Sequence, residues 1–291
     1  MTADIQIQPT RHTSFEVYRY QLVVNKTLQL SLDNKYQTAE AIREHKNEIF
    51  ADIIGNKNFK FASTKSEVTS KLMFSQGDLS IYKLGVRRSL KVAKKDFTED
   101  TIDNYPNVII AVNNNPAVQK IAIQKNIKAF TKAHAASSIV EQSIDPKIKN
   151  YNLSFYIEPL FDKKEFWNLI NRFKGRITQV AFDLISPNMA NISKNLKLNL
   201  KEIYEDTNTH KTTLELNSDK DQYLEIKEES KFVNSLVEYS AEGAGNIAVK
   251  VAGYNKKFHT AQSITEFSID EQLLKNNDWD ALNDAFNEIL I

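Results

Sequence analysis

The chain has no cysteine. That excludes disulfides, thiolate metal ligands and cysteine nucleophiles, and it fits a reducing compartment. Glycine is scarce, with seven in 291 residues, and proline scarcer still, with six. Neither G-x-G-x-x-G nor G-x-x-x-x-G-K-[ST] occurs, so no motif offers a backbone cradle for nucleotide phosphates. No apolar run approaches the roughly 18 residues that span a bilayer, and no membrane contact is expected. The N-terminal MTADIQIQPTRHTSF lacks a basic flank followed by an apolar stretch, so it does not read as a signal peptide. The expected location is the cytoplasm. What is present is ample core material, since 41% of residues are hydrophobic, which argues against wholesale disorder.

Net charge is nearly absent at +1, yet the balance is uneven. Residues 202–291 hold 18 acidic residues against eight lysines and no arginine, so the first two-thirds carry a net positive charge of 11. Such asymmetry marks either a surface for a polyanion or two parts of one molecule that attract each other.

Hydrophobic periodicity predicts a mixed chain. Residues 15–24 alternate and are rich in aromatic and β-branched side chains, which predicts a strand. Thr38 is a candidate N-cap for a helix over 38–54, with Ala41, Ile42, His45, Ile49 and Ile53 along one stripe and Gly55 at its end. Strands are expected at 59–62, 71–75, 79–84, 108–112 and 118–124, with turns at Gly77-Asp78 and at the NNNP of 113–116. A helix is expected over 127–142. Residues 145–150, DPKIKN, read as a domain boundary, dividing a basic domain at 1–145 from one at 151–291 that is acidic in its last third. Beyond it, strands are expected at 153–160, 176–186 (closed by Pro187), 212–216, 223–226, 247–251 and 258–267. Helices are expected at 162–174, with Asp162 and Glu165 placed as a capping box, and at 190–204, 230–241 and 270–290. Hairpins outnumber βαβ periods, so the fold class is α+β, with antiparallel or mixed sheets, packed helices and two domains.

Three of the seven glycines, Gly243, Gly245 and Gly253, fall within AEGAGNIAVKVAGYNKKFHT at 241–260. An anion site needs glycine before a helix, where free N–H groups and the positive end of the dipole meet. Here the helix comes first and a strand follows, so these glycines end a helix. The five histidines have no partner at i, i+4 or i, i+2, so no local metal pair exists. Glu225-Ile226-Lys227, with Asp206 or Asp219 upstream, matches the acid and E-x-K pattern of metal-dependent nucleases of the restriction-enzyme class, in which carboxylates hold a divalent ion and the lysine polarises the phosphate. Its acidic surroundings suit DNA poorly.

The densest signal is basic. Residues 83–95, KLGVRRSLKVAKK, contain Lys83, Arg87, Arg88, Lys91, Lys94 and Lys95 and no acid. Residues 104–140 are also free of acid and hold Lys120, Lys125, Lys128 and Lys132. Converging on one face, these would neutralise phosphates and release counterions whatever the base sequence. Arg87 and Arg88 add forked contacts. Tyr82 and Phe97 flank the first stretch and read as core residues, or as stacking platforms for a single strand. No helix-turn-helix, zinc-finger or aromatic ribonucleoprotein pattern points to base-specific readout.

Ile157-Glu158-Pro159-Leu160, placed near mid-chain at the end of a predicted strand, resembles the lambdoid phage-exclusion protein A (Rex-like) family. A charged hairpin, the apolar strand VIIAV, a turn, a second strand and a helix precede it in a similar order. The resemblance implies an intracellular phage-defence protein that binds DNA without sequence preference and works with a partner; it carries over no catalytic residue. The expectation is a nucleic-acid-binding protein, DNA foremost, acting through Lys83, Arg87, Arg88, Lys91, Lys94, Lys95, Lys125, Lys128 and Lys132. It has no catalytic residue, metal ligand or cofactor, and it leaves room for a protein partner or a homodimer. The alternatives are the nuclease built on Glu225 and Lys227 and a protein-interaction module with an acidic C-terminal surface.

Overall fold

The computed structural model describes residues 11–26, 35–186 and 195–290. Its elements are β1 (His12–Val24), α1 (Ala39–Ile54), β2 (Val68–Gln76), β3 (Leu79–Val86), β4 (Arg88–Ala93), β5 (Glu99–Asn104), β6 (Asn107–Asn113), β7 (Lys120–Gln124), α2 (Ala133–Ile148), β8 (Leu153–Pro159), α3 (Lys163–Arg172), β9 (Ile177–Ile185), α4 (Leu200–Thr207), β10 (Lys211–Asn217), α5 (Lys231–Tyr239), β11 (Gly245–Val251), β12 (Phe258–His259), β13 (Glu266–Asp270), α6 (Glu271–Asn276) and α7 (Trp279–Leu290). The strand pairs are antiparallel and the helices pack on the sheets, which is the expected α+β class.

β1 organises the larger sheet, whose order is β13-β1-β7-β6-β3-β2 with β8 also beside β1. One edge of β1 carries β13 along residues 12–16 and β8 along residues 18–24. The alternation of β1 sorts its side chains onto two faces. Tyr18, Tyr20, Leu22 and Val24 join the core that includes Ile42, Ile49 and Phe50 of α1 and Ile139, Val140 and Ile144 of α2. Phe15 and Val17 point the other way and are covered by Leu282, Phe286 and Leu290 of α7. The smaller sheet, β10-β9-β11-β12, buries Val180, Phe182, Leu184, Ile247 and Val249 against α3, α4 and α5.

Local signals account for several of these elements. Thr38 Oγ1 accepts the Ala41 N–H at 3.1 Å and opens α1, Asp162 Oδ1 accepts the Lys164 N–H at 2.9 Å and opens α3, and Ser230 caps α5. The glycines after α5 behave as sequence order implies. Gly243 has φ +75. A Cβ there would lie 2.5 Å from Cβ of Arg19, and one on Gly245 would lie 2.1 Å from the Asp183 carbonyl oxygen. The pair ends the helix and lets three backbone segments approach closely.

Other expectations give way to tertiary structure. Residues 145–150 are the end of α2 and a 3-10 turn, with Ile148 fully buried. α2 runs through Pro146 because Ile144 and Ile148 both belong to the core beneath it. β8 and β13, both beyond residue 150, pair with β1 of the larger sheet, so the sheets do not divide at 145–150. The helix expected from 127 starts at Ala133, since Asn126 Oδ1 accepts the Lys128 N–H at 3.1 Å and holds a turn. Residues 59–62 form no strand although Phe59 and Phe61 are buried. The single strand expected at 258–267 is two, β12 in the smaller sheet and β13 in the larger. Of the helix expected at 190–204, residues 190–194 lie outside the described residues, as does Pro187; the observed helix is α4. Residues 223–226 form no strand, and β10 pairs with β9 instead.

Candidate nucleic-acid interface

β3 and β6 are neighbours in the larger sheet, and the chain between them leaves it. Past Val86, whose N–H donates to the Pro106 carbonyl at 3.1 Å, β4 and β5 continue as a separate two-stranded ribbon in which every residue is exposed. Six residues a side make an arm about 20 Å long. Alternation puts Arg88, Leu90 and Val92 on one face, with Ile102 directly opposite Leu90.

The arm gathers most of the first basic stretch, but it also pairs it. Arg87 donates from Nε to Asp103 Oδ1 and from Nη1 to Glu67 Oε2, both at 2.9 Å. Those bonds, Asp103 first and Glu67 second, raise its already high pKa. Glu67 also accepts from Tyr105 Oη at 2.7 Å. Lys91 meets Glu99 at 2.9 Å and Lys94 meets Asp100 at 2.8 Å. The ribbon is therefore zwitterionic rather than cationic. Residues 83–95 lack acids, but register sets the acidic β5 against them. Arg88 instead donates to the Ala129 carbonyl at 2.7 Å. That bond joins the arm base to the β7–α2 loop, bringing the two basic stretches together. In that loop Lys125 is paired with Glu266 at 2.6 Å. Lys95 at the tip, and Lys128 and Lys132 in the loop, are exposed with no ion-pair partner among the described residues. Lys83 stands apart, half-buried on β3 opposite Lys71.

The two aromatic residues flanking the stretch have opposite fates. Tyr82 is 2% exposed and its hydroxyl donates to the Ile54 carbonyl. Phe97, at the ribbon tip, is 95% exposed, which corrects its reading as a core residue. Ile127 of the neighbouring loop is also largely exposed.

The E-x-K pattern does not lie on a strand. Glu225 and Lys227 are exposed, their charged ends 3.8 Å apart. Among the described residues no three His, Asp or Glu side chains gather to hold a metal ion.

A cluster of perturbed carboxylates lies elsewhere, and sequence reasoning missed it. β8 is an edge strand. Asp145 Oδ1 accepts the Phe155 N–H at 3.2 Å, and the Glu141 carboxyl faces the Ile157 N–H. Four helical residues, about 6 Å, match two strand residues, about 6.7 Å, so α2 lines an otherwise open row of donors. The next position, Pro159, has no N–H to close. Burial, then the charge of Glu158, pushes the Glu141 carboxyl up to about 7. Glu158 of the I-E-P-L stretch is raised by burial, against the pull of Lys211 at 3.4 Å. The local signal was the acid pair four residues apart on α2.

The fold and the arm define an α+β protein with a projecting, charge-paired ribbon beside a lysine-bearing loop. Comparison with family models, with curated proteins and with solved structures returns no match. Among the described residues no helix is long and apolar enough to cross a membrane.

Proposed function

We propose that this chain binds nucleic acid, DNA foremost, through its phosphates and without base-sequence readout, using the β4–β5 arm and the loop at its base. The observation that carries the reading is the Arg88–Ala129 hydrogen bond, which joins the arm to the loop holding Lys128 and Lys132. A two-stranded ribbon is narrow enough for the major groove. The ion pairs along the arm are exposed, and such pairs contribute about 0–1 kcal/mol each, so a phosphate competes readily for Lys91 or Lys94. A phage-defence role belongs to the same proposal and rests on the resemblance at Ile157–Leu160.

Because so many of the cations are already paired, binding is expected to be modestly rather than steeply salt-dependent. Three free lysines imply a slope of log affinity on log salt of about −2 to −3. Lys95→Glu, Lys128→Glu and Lys132→Glu combined should abolish retention of a labelled oligonucleotide in fluorescence anisotropy. Unchanged affinity in that triple variant would sink the reading.

A second reading, as a protein-interaction module, draws on the exposed stripe of Leu90, Val92 and Ile102. Light scattering at low and high salt separates the two, since an apolar contact strengthens with salt and a phosphate contact weakens.

A further inference from the structure

We infer that Phe97 is a stacking residue for unpaired bases, carried at the tip of the arm. This deepens the nucleic-acid reading and rests on it. The tip is a built turn: the Lys94 N–H donates to the Thr98 carbonyl at 2.8 Å, and the Phe97 N–H donates to the Lys94 carbonyl at 3.0 Å. Asp96 Oδ1 accepts from the Thr98 N–H at 3.1 Å and from its hydroxyl at 2.7 Å. That turn holds Phe97 at φ 64, left-handed backbone that suits glycine or asparagine and costs a bulky side chain free energy. The ring recovers none of that cost by burial, being the most exposed of the large hydrophobic side chains described. The backbone conformation at Phe97 opposes folding and its exposed ring offsets none of that cost, so the gain lies outside the chain.

The chemistry around it selects the ligand. Lys94 and Lys95 precede the ring, and Lys95 is uncommitted among the described residues. An aromatic face with an adjacent ammonium is the pairing that holds a base and its phosphate together. A ring at the end of a thin ribbon has no pocket wall to complete, and stacking on a base needs only one free face. Entering a duplex would require base pairs to part, whereas an unpaired base offers its face without that cost. Single strands, or duplexes with flipped or frayed bases, are the preferred ligand class.

The test uses the full chain, a single-stranded oligonucleotide carrying 2-aminopurine, and a duplex of the same sequence at low salt. Phe97→Gly and Phe97→Asn should weaken single-strand binding about ten-fold or more and remove the 2-aminopurine quenching. They should leave the salt slope unchanged, because the ring carries no charge. Phe97→Trp should retain both affinity and quenching. Thermal melting of Phe97→Gly should be no lower than that of the parent, which guards against a folding defect. Equal single-strand affinity and quenching in Phe97→Gly would overturn this inference and leave the phosphate reading standing, as would equal parent affinity for duplex and single strand. A parent chain that binds neither would overturn the phosphate reading itself.

Discussion

Glu141 shows how one side chain combines structure with pH response. Its carboxyl faces the Ile157 N–H at the edge of β8, and burial, then the charge of Glu158, pushes it up to about 7. Between the ordinary glutamate value and that figure, the folded chain holds a proton that the unfolded chain has lost. Stability therefore falls as pH rises through this window and levels off above it. Glu158, also raised, acts in the same direction. Glu141→Gln keeps an acceptor for Ile157 and removes the buried charge. It should flatten the pH dependence of the melting temperature between about pH 5 and 7 and raise the melting temperature at pH 8. A variant as pH-sensitive as the parent would show that the slope arises elsewhere. Single residues were legible where their role is local: Thr38 and Asp162 cap the helices expected of them. Tyr82 and Phe97 look alike in sequence and separate only in three dimensions, because one lies on a central strand and the other at a free tip.

The β4–β5 ribbon is the element least like its sequence expectation. Residues 83–95 read as one cationic run, but β3 ends at Val86 and the remainder faces the acids of β5. The signal was available as two short strands of opposite charge at hairpin spacing; the cue was masked because each strand alone looks like a solvated charge run. Since every arm residue is exposed, the body gains little from it. Replacing residues 88–104 with a short glycine-containing turn between β3 and β6 should leave the melting temperature within a few degrees of the parent, about the effect of 1 kcal/mol or less. It should also abolish nucleic-acid binding. Binding that survives the deletion, measured by anisotropy, would remove the arm from the interface.

Across the whole molecule, the charge gradient is partly spent internally. Glu242, Glu266 and Glu238 from the acidic last third pair with Arg19, Lys125 and Lys163. Arg19 is nearly buried, and it also donates to the Val118 carbonyl at 2.9 Å and the Glu242 carbonyl at 2.5 Å. It joins β1 to the turn after α5. The return of β13 and α7 to the larger sheet covers its second face, where Ile269, Leu282, Phe286 and Leu290 pack with Phe15 and Val17. Phe286 stands edge-on to Phe15 with centroids 5.2 Å apart. Phe286→Ala should cost about 3–5 kcal/mol and should shift a single urea transition probed from both sheets. If only one of two separate transitions moved, the two sheets would be folding independently.

Composition, periodicity and capping by themselves determined the α+β class, the helices at α1, α3 and α5, and the structural role of Gly243, because each of these depends on neighbours within a turn or two. Tertiary structure alone decided that α2 continues through Pro146, that residues 258–267 split between two sheets, and that the basic run is met by carboxylates. Those outcomes turn on which distant strand lies alongside and on what burial it brings. The free energy of such long-range pairing appears only when both partners are in place.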